Sequence, residues 1–137
     1  MRLDDLYLVD IIEAHESMVR MLRGVGEQDF IGAEVLVAAV QMKLLIMGAA
    51  LSSMTDGTRK AFQGVPVEQV RGLRNRIVHG YFSVDNRMIY EIAVVHTPQM
   101  ASEATRLLAG LFPETYEQLM ERSETSSVAM LTMEASE

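Results

Sequence analysis

The chain has 137 residues, the size of a single domain, with 49% hydrophobic residues, 6% aromatics, no Trp and no Cys. Zero cysteines exclude a disulfide scaffold, a thiolate metal site and a cysteine nucleophile, and the Leu, Val, Ile, Ala and 11 Met favour helices over sheets. The net charge of −7 argues against non-specific coating of nucleic acid. It hides a contrast, because residues 59–87 carry six basic residues against two acids (+4), and the remainder carries six against seventeen (−11).

Residues 3–23 predict an amphipathic helix: Tyr7, Ile11, Ala14, Met18 and Met21 recur at spacings of four and three. Asp4 and Asp5 suit its positive end, and Gly24 and Gly26 stop it. The acids so near the start give no signal-peptide pattern, and a cytoplasmic location is expected. A second helix is expected from an N-cap at Asp29 to about residue 53. Its stretch VLVAAVQMKLLIMGAAL is apolar nearly all round, as in a central helix packed on several sides. Gln41 and Lys43 interrupt it, so no membrane span is expected.

Residues 55–63 read as a polar connection or one short helical turn, with Asp56-Gly57 as the turn signal. Pro66 suits the first turn of a third helix, 66–80. After a break with a cap at Asp85 or Asn86, a fourth helix spans about 87–111, with Pro98 kinking it near His96. Pro113 restarts a fifth, to about residue 122. The expected architecture is all-α, a four- to five-helix up-down bundle forming one domain over residues 1–122. The Ser/Thr/Glu-rich segment 123–137 is expected to be a loosely ordered tail or one used in contacts with another chain.

The third helix carries the chemistry. At ~100° per residue, Val67, Val70, Leu73, Ile77 and Val78 form one apolar arc, and Arg74 falls inside it. A buried guanidinium without partners costs several kcal/mol, so Arg74 must be paired, face an interface or await an anion. Arg71, Asn75 and His79 share another row, four residues apart. Arg74 and His79 would approach a cleft from two walls with Asn75 between them, a placement suited to a phosphate. The guanidinium would hold its oxygens and the imidazole would move protons near neutral pH. The same residues also allow a plain structural reading: a histidine stabilised at a helix C-terminus and an arginine paired with a neighbouring acid. No clustered carboxylates or His-x-x-x-His spacing suggest a metal, and no cofactor is expected. His15 reads as a core or interface residue and His96 as part of the proline kink.

The run 71–85, RGLRNRIVHGYFSVD, resembles the signature of the HEPN superfamily, in which an Arg, often followed by Asn, precedes a His by four to six residues. His79-Gly80-Tyr81 is similar to the HepT-like branch of ribonuclease toxins. The resemblance implies a dimeric HEPN-like bundle and a metal-independent endoribonuclease whose partner is a nucleotidyltransferase-fold antitoxin. It makes Arg74 and His79 the cleaving pair, Asn75 their neighbour in the motif, and Tyr81 a tyrosine that the antitoxin can modify with AMP; Asn75, Arg71 and Tyr81 are the expected supporting or RNA-binding residues. One departure stands out: where relatives often carry Ile-Gly-Glu-Ala in the second helix, this chain has Ile46-Met47-Gly48-Ala49, without the acid. The alternative expectation is a non-catalytic helical module that binds nucleotide, RNA or a partner transferase without cutting.

RNA brings its own nucleophile, the 2′-hydroxyl, and its cleavage needs a base, an acid and positive charge on the phosphorane. One chain offers a single motif histidine, whereas a two-fold dimer offers two. A composite cleft at the dimer axis is therefore expected.

Overall fold

The computed structural model of the protein describes residues 3–80 and 84–135, with side chains through Ser126. All regular structure among the described residues is helical. Five long helices, α1 (Asp4–Leu22), α3 (Glu34–Ser53), α5 (Val67–Gly80), α7 (Thr97–Leu111) and α8 (Pro113–Ala135), are joined by three short ones: α2 (Glu27–Ile31), α4 (Asp56–Lys60) and α6 (Asn86–Glu91). A π-helical stretch, Ile92–His96, links α6 to α7. The all-α bundle expected from the sequence is present, with α1, α3 and α5 close to their expected spans.

Helix α3 is the axis of the fold, packing on α1 and α5 most extensively and also on α2 and α6, while α7 covers α1 and α8 covers α7. Leu44, Met47 and Leu51 of α3 meet Leu8, Ile11 and Met18 of α1 and Met100 and Leu108 of α7 in one continuous core. Three of these are methionines, whose unbranched side chains fill irregular gaps between helices. As a formed helix, α3 reaches the length and hydropathy of a bilayer span. Its packing against four other elements is that of a central bundle helix.

Three boundaries differ from the sequence reading. Asp29 lies within α2 rather than at an N-cap; Gly26 takes that position, and the chain breaks at Gly32 before α3 begins. The fourth helix does not simply kink. Pro98 has no N–H to close an α-helical bond to Val94, and the preceding turn widens into the π stretch. There the Thr97 hydroxyl donates to the Ala93 carbonyl at 2.5 Å, so the opened backbone group keeps a partner. Lastly, α8 runs through to Ala135, past the residue where the sequence suggested its end.

The corner around α4 is closely bonded. Asp4 at the start of α1 accepts the Thr55 N–H at 3.0 Å and the hydroxyls of Thr55 and Thr58 at 2.5 and 2.6 Å. Arg59 donates to the carbonyls of Leu51 and Met54 at the end of α3, at 2.8 and 3.1 Å, and pairs with Asp56. These contacts satisfy carbonyls that a helix C-terminus otherwise leaves open. Burial pushes the Asp4 carboxyl up, but the bonds from Thr55 and Thr58 and the Arg59 charge outweigh it, leaving the carboxyl below its ordinary value.

Candidate active site

Helix α5 forms where a proline fixes its entry. The Pro66 carbonyl accepts the Val70 N–H at 3.1 Å, which places Pro66 just ahead of the first helical residue. Val70, Leu73 and Ile77 are buried against the core, while Asn75, Arg76, Val78 and His79 are exposed. At the far end the Asp85 carboxylate caps α6 by accepting the Arg87 N–H at 2.9 Å, as the sequence suggested for Asp85 or Asn86.

Arg74 is half-buried, as its place inside the apolar arc requires. Its Nη1 donates to Asn75 Oδ1 at 3.4 Å, a long contact, and among the described residues no carboxylate pairs with it. Among the described residues, the intramolecular ion pair is therefore not the outcome adopted. Arg71, one turn earlier, is employed differently: Nη1 reaches both Glu68 oxygens at 3.0 and 3.1 Å, and Nε donates to Ser52 Oγ at 3.3 Å. The Glu68 contact follows from the i,i+3 spacing. Ser52 carried no signal in the sequence, since its role depends on how α3 and α5 cross.

His79 is exposed in the last turn of α5. Tyr81 lies outside the described residues. The cleft of about 580 Å³ beside α4 is lined by Lys60, Phe62, Pro66, Glu68 and Arg71, and a groove of about 400 Å³ between α5 and the π stretch by Leu73, Arg76, Met88, Ile92 and His96. Neither is lined by Arg74, Asn75 or His79. Around α5, Arg74 stands half-buried at the edge of the apolar side, whereas Asn75 and His79 are exposed, about 100° and 140° round the helix from it. His15 is half-buried on α1, where burial pushes its imidazole below the ordinary value against the opposing charge of Glu16. Among the described residues no group of three or more His, Asp or Glu could hold a metal ion.

Helix α5 meets α3 through the core and, at the surface, where Arg71 bonds Ser52. The solvent side of α3 carries Val35 (84% exposed), Met42 (56%) and Ile46 (36%), with Ile46 on the flank toward Asp10 and Glu13 of α1, and α5 separately exposes Val78 (52%).

Residues 11–107, which include all of α5, match the ribonuclease HepT-like family. The chain belongs to this family. It is 28% identical to a protein of Caldanaerobacter subterraneus subsp. tengcongensis named "Putative RNase", over 74% of this chain and 91% of that one. It is 26% identical to the "Probable ribonuclease HepT" of Thermococcus cleftensis, over 74% and 92% of the two chains. A Methanocaldococcus jannaschii protein, also named "Putative RNase", shares 28% identity over 71% and 89%. No solved structure matches the chain. The protein is a HepT-like endoribonuclease, and RNA is its substrate.

Proposed function

We propose that this HepT-like ribonuclease is a toxin that cuts RNA without a metal, at a site completed by two copies of the chain. The observation that supports it best is the half-buried Arg74 guanidinium, which has no carboxylate partner among the described residues and lies next to the exposed Asn75 and little more than one turn before the exposed His79 on α5. A phosphorane needs such a preorganised positive donor. In the composite site, one His79 takes the 2′-hydroxyl proton as that oxygen attacks phosphorus. The partner's His79 gives a proton to the departing 5′-oxygen. Arg74 holds the non-bridging oxygens through the charged intermediate, and Asn75 and Arg71 contact the RNA. The products are a 2′,3′-cyclic phosphate and a 5′-hydroxyl.

The exposed Val35, Met42 and Ile46, seven and four residues apart on α3, supply an apolar strip that a second copy would cover, in keeping with self-complementary pairing across a two-fold axis. A nucleotidyltransferase-fold antitoxin restrains the toxin by transferring AMP from ATP to the Tyr81 hydroxyl, releasing pyrophosphate. Modification two residues beyond His79 adds bulk and negative charge where RNA would enter. The test is incubation of the pure protein with single-stranded RNA in excess chelator. Cyclic-phosphate ends are expected, and their absence from the products, or a need for added metal, would overturn the scheme. Retention of RNA without cleavage would instead support a binding module.

A further inference from the structure

At the crossing of α3 and α5, Gly48 faces the residue proposed to hold the phosphate. A Cβ built on Gly48 would stand 2.7 Å from Arg74 Cβ, 3.4 Å from Arg74 Cγ and 3.3 Å from the Val70 carbonyl oxygen. The first distance is far inside van der Waals contact, and the Arg74 atom concerned is rooted to the backbone of α5 rather than at the free end of a side chain. The three contacts involve both ends of one helical turn, Val70 to Arg74. Any side chain at position 48 must therefore push that turn of α5 outward or tilt it. Glycine is disfavoured inside a helix by about 1 kcal/mol relative to alanine. At Gly48 that cost coincides with a saddle in α3 that receives the stem of Arg74. Gly72, on α5 itself, meets nothing within 4 Å and has no comparable task.

We infer that Gly48 is a positioning residue for RNA cleavage: the Cβ-free saddle of α3 sets the depth and direction from which the Arg74 guanidinium reaches the scissile phosphate. The inference rests on the assignment of Arg74 to that phosphate. The turn holding Arg74 is seated against a rigid central helix, so the guanidinium is aimed before RNA arrives. Transition-state stabilisation depends on such prior placement, and a shift near 1 Å in a catalytic group is enough to cost about 100-fold in rate. The positive charge would remain available for binding, so the loss belongs to kcat rather than KM.

The experiment compares wild type, Gly48→Ala, Arg74→Ala and their double variant on a fluorogenic single-stranded oligoribonucleotide, with folding followed by circular dichroism and thermal midpoint. Gly48→Ala should lower kcat by about 100-fold with KM nearly unchanged. The same change should cost several-fold less in the Arg74→Ala background, where the guanidinium is gone and only the remaining displacement of α5 can reach His79. Gly72→Ala should keep full activity. A folded Gly48→Ala protein with wild-type kcat, or an equal fractional loss with and without Arg74, would overturn the inference. If Gly48→Ala does not fold, Gly48→Ala/Arg74→Gly removes the 2.7 Å contact and should recover the fold. Failure to recover would also overturn it. Wild-type protein that leaves RNA uncut would strike the proposed function instead, and the recovery of stability by Arg74→Gly would still report on the saddle.

Discussion

Two polar clusters flank the C-terminal part of α3, and they treat their arginines in opposite ways. In the α4 corner, Arg59 is spent: two helix carbonyls and Asp56 take its donors, and Asp4 ties the same corner to α1 through three hydrogen bonds. On the α5 face, Arg74 has a long contact with Asn75 and no acid among the described residues. A saturated cluster stabilises, because every charge has been exchanged for protein partners. A cluster with donors in reserve keeps them for something that arrives later. Removing a residue from the first should therefore cost stability and leave chemistry intact, and removing one from the second should do the reverse.

The largest break in that contrast is expected at His79. Replacing this exposed imidazole by Ala should lower RNA cleavage by about 10²–10⁴-fold with the thermal midpoint unchanged. Arg74→Ala should follow with about 10²–10³-fold in kcat, and because no ion pair is lost among the described residues the urea midpoint should hold. In the saturated corner, Asp4→Asn should preserve cleavage while costing about 1–2 kcal/mol at neutral pH, measured by urea unfolding; partial exposure keeps the figure modest. Its pH dependence has a definite sign. The folded Asp4 carboxyl is held below its ordinary value, so its contribution is complete above the unfolded-state value and disappears as pH falls through the folded one. Wild type should therefore lose its advantage over Asp4→Asn on the acid side, and a constant gap down to the lowest pH would contradict the hydrogen-bond account. The smallest effect is expected for Asp85→Ala, about 1 kcal/mol from the lost cap of α6, again without change in the chemical step.

Much of this contrast was legible before any coordinates, and the rest was hidden for identifiable reasons. Arg74 inside an apolar arc is a conflict visible on a helical wheel, and its half-burial follows directly. Whether an acid answers it depends on the crossing of α3 and α5, which no local pattern encodes. Gly48 could be flagged only as a missing-acid neighbour in Ile46-Met47-Gly48-Ala49, because its importance lies in what α5 presents across from it. The α2–α3 break escaped because Asp29 has the chemistry of an N-cap, and only tertiary packing, with Phe30 fully buried and its ring 5.3 Å from that of Tyr90, decides that α2 stands apart. Past residue 122, polar composition concealed a helix whose α-helical hydrogen bonds need no apolar stripe to form.

The π stretch between α6 and α7 makes chain length and side-chain identity interdependent. A wide turn of this kind is how a rod absorbs one surplus residue while the segments before and after it keep their orientation. Excising one of the solvent-facing Val94 or Val95 would restore ordinary pitch with Ile89 and Met100 still pointing inward, but it would drive the Pro98 ring against a carbonyl one turn back. A shortened chain is thus compatible with this architecture only when the proline goes too, which ties a deletion and a substitution together as one event.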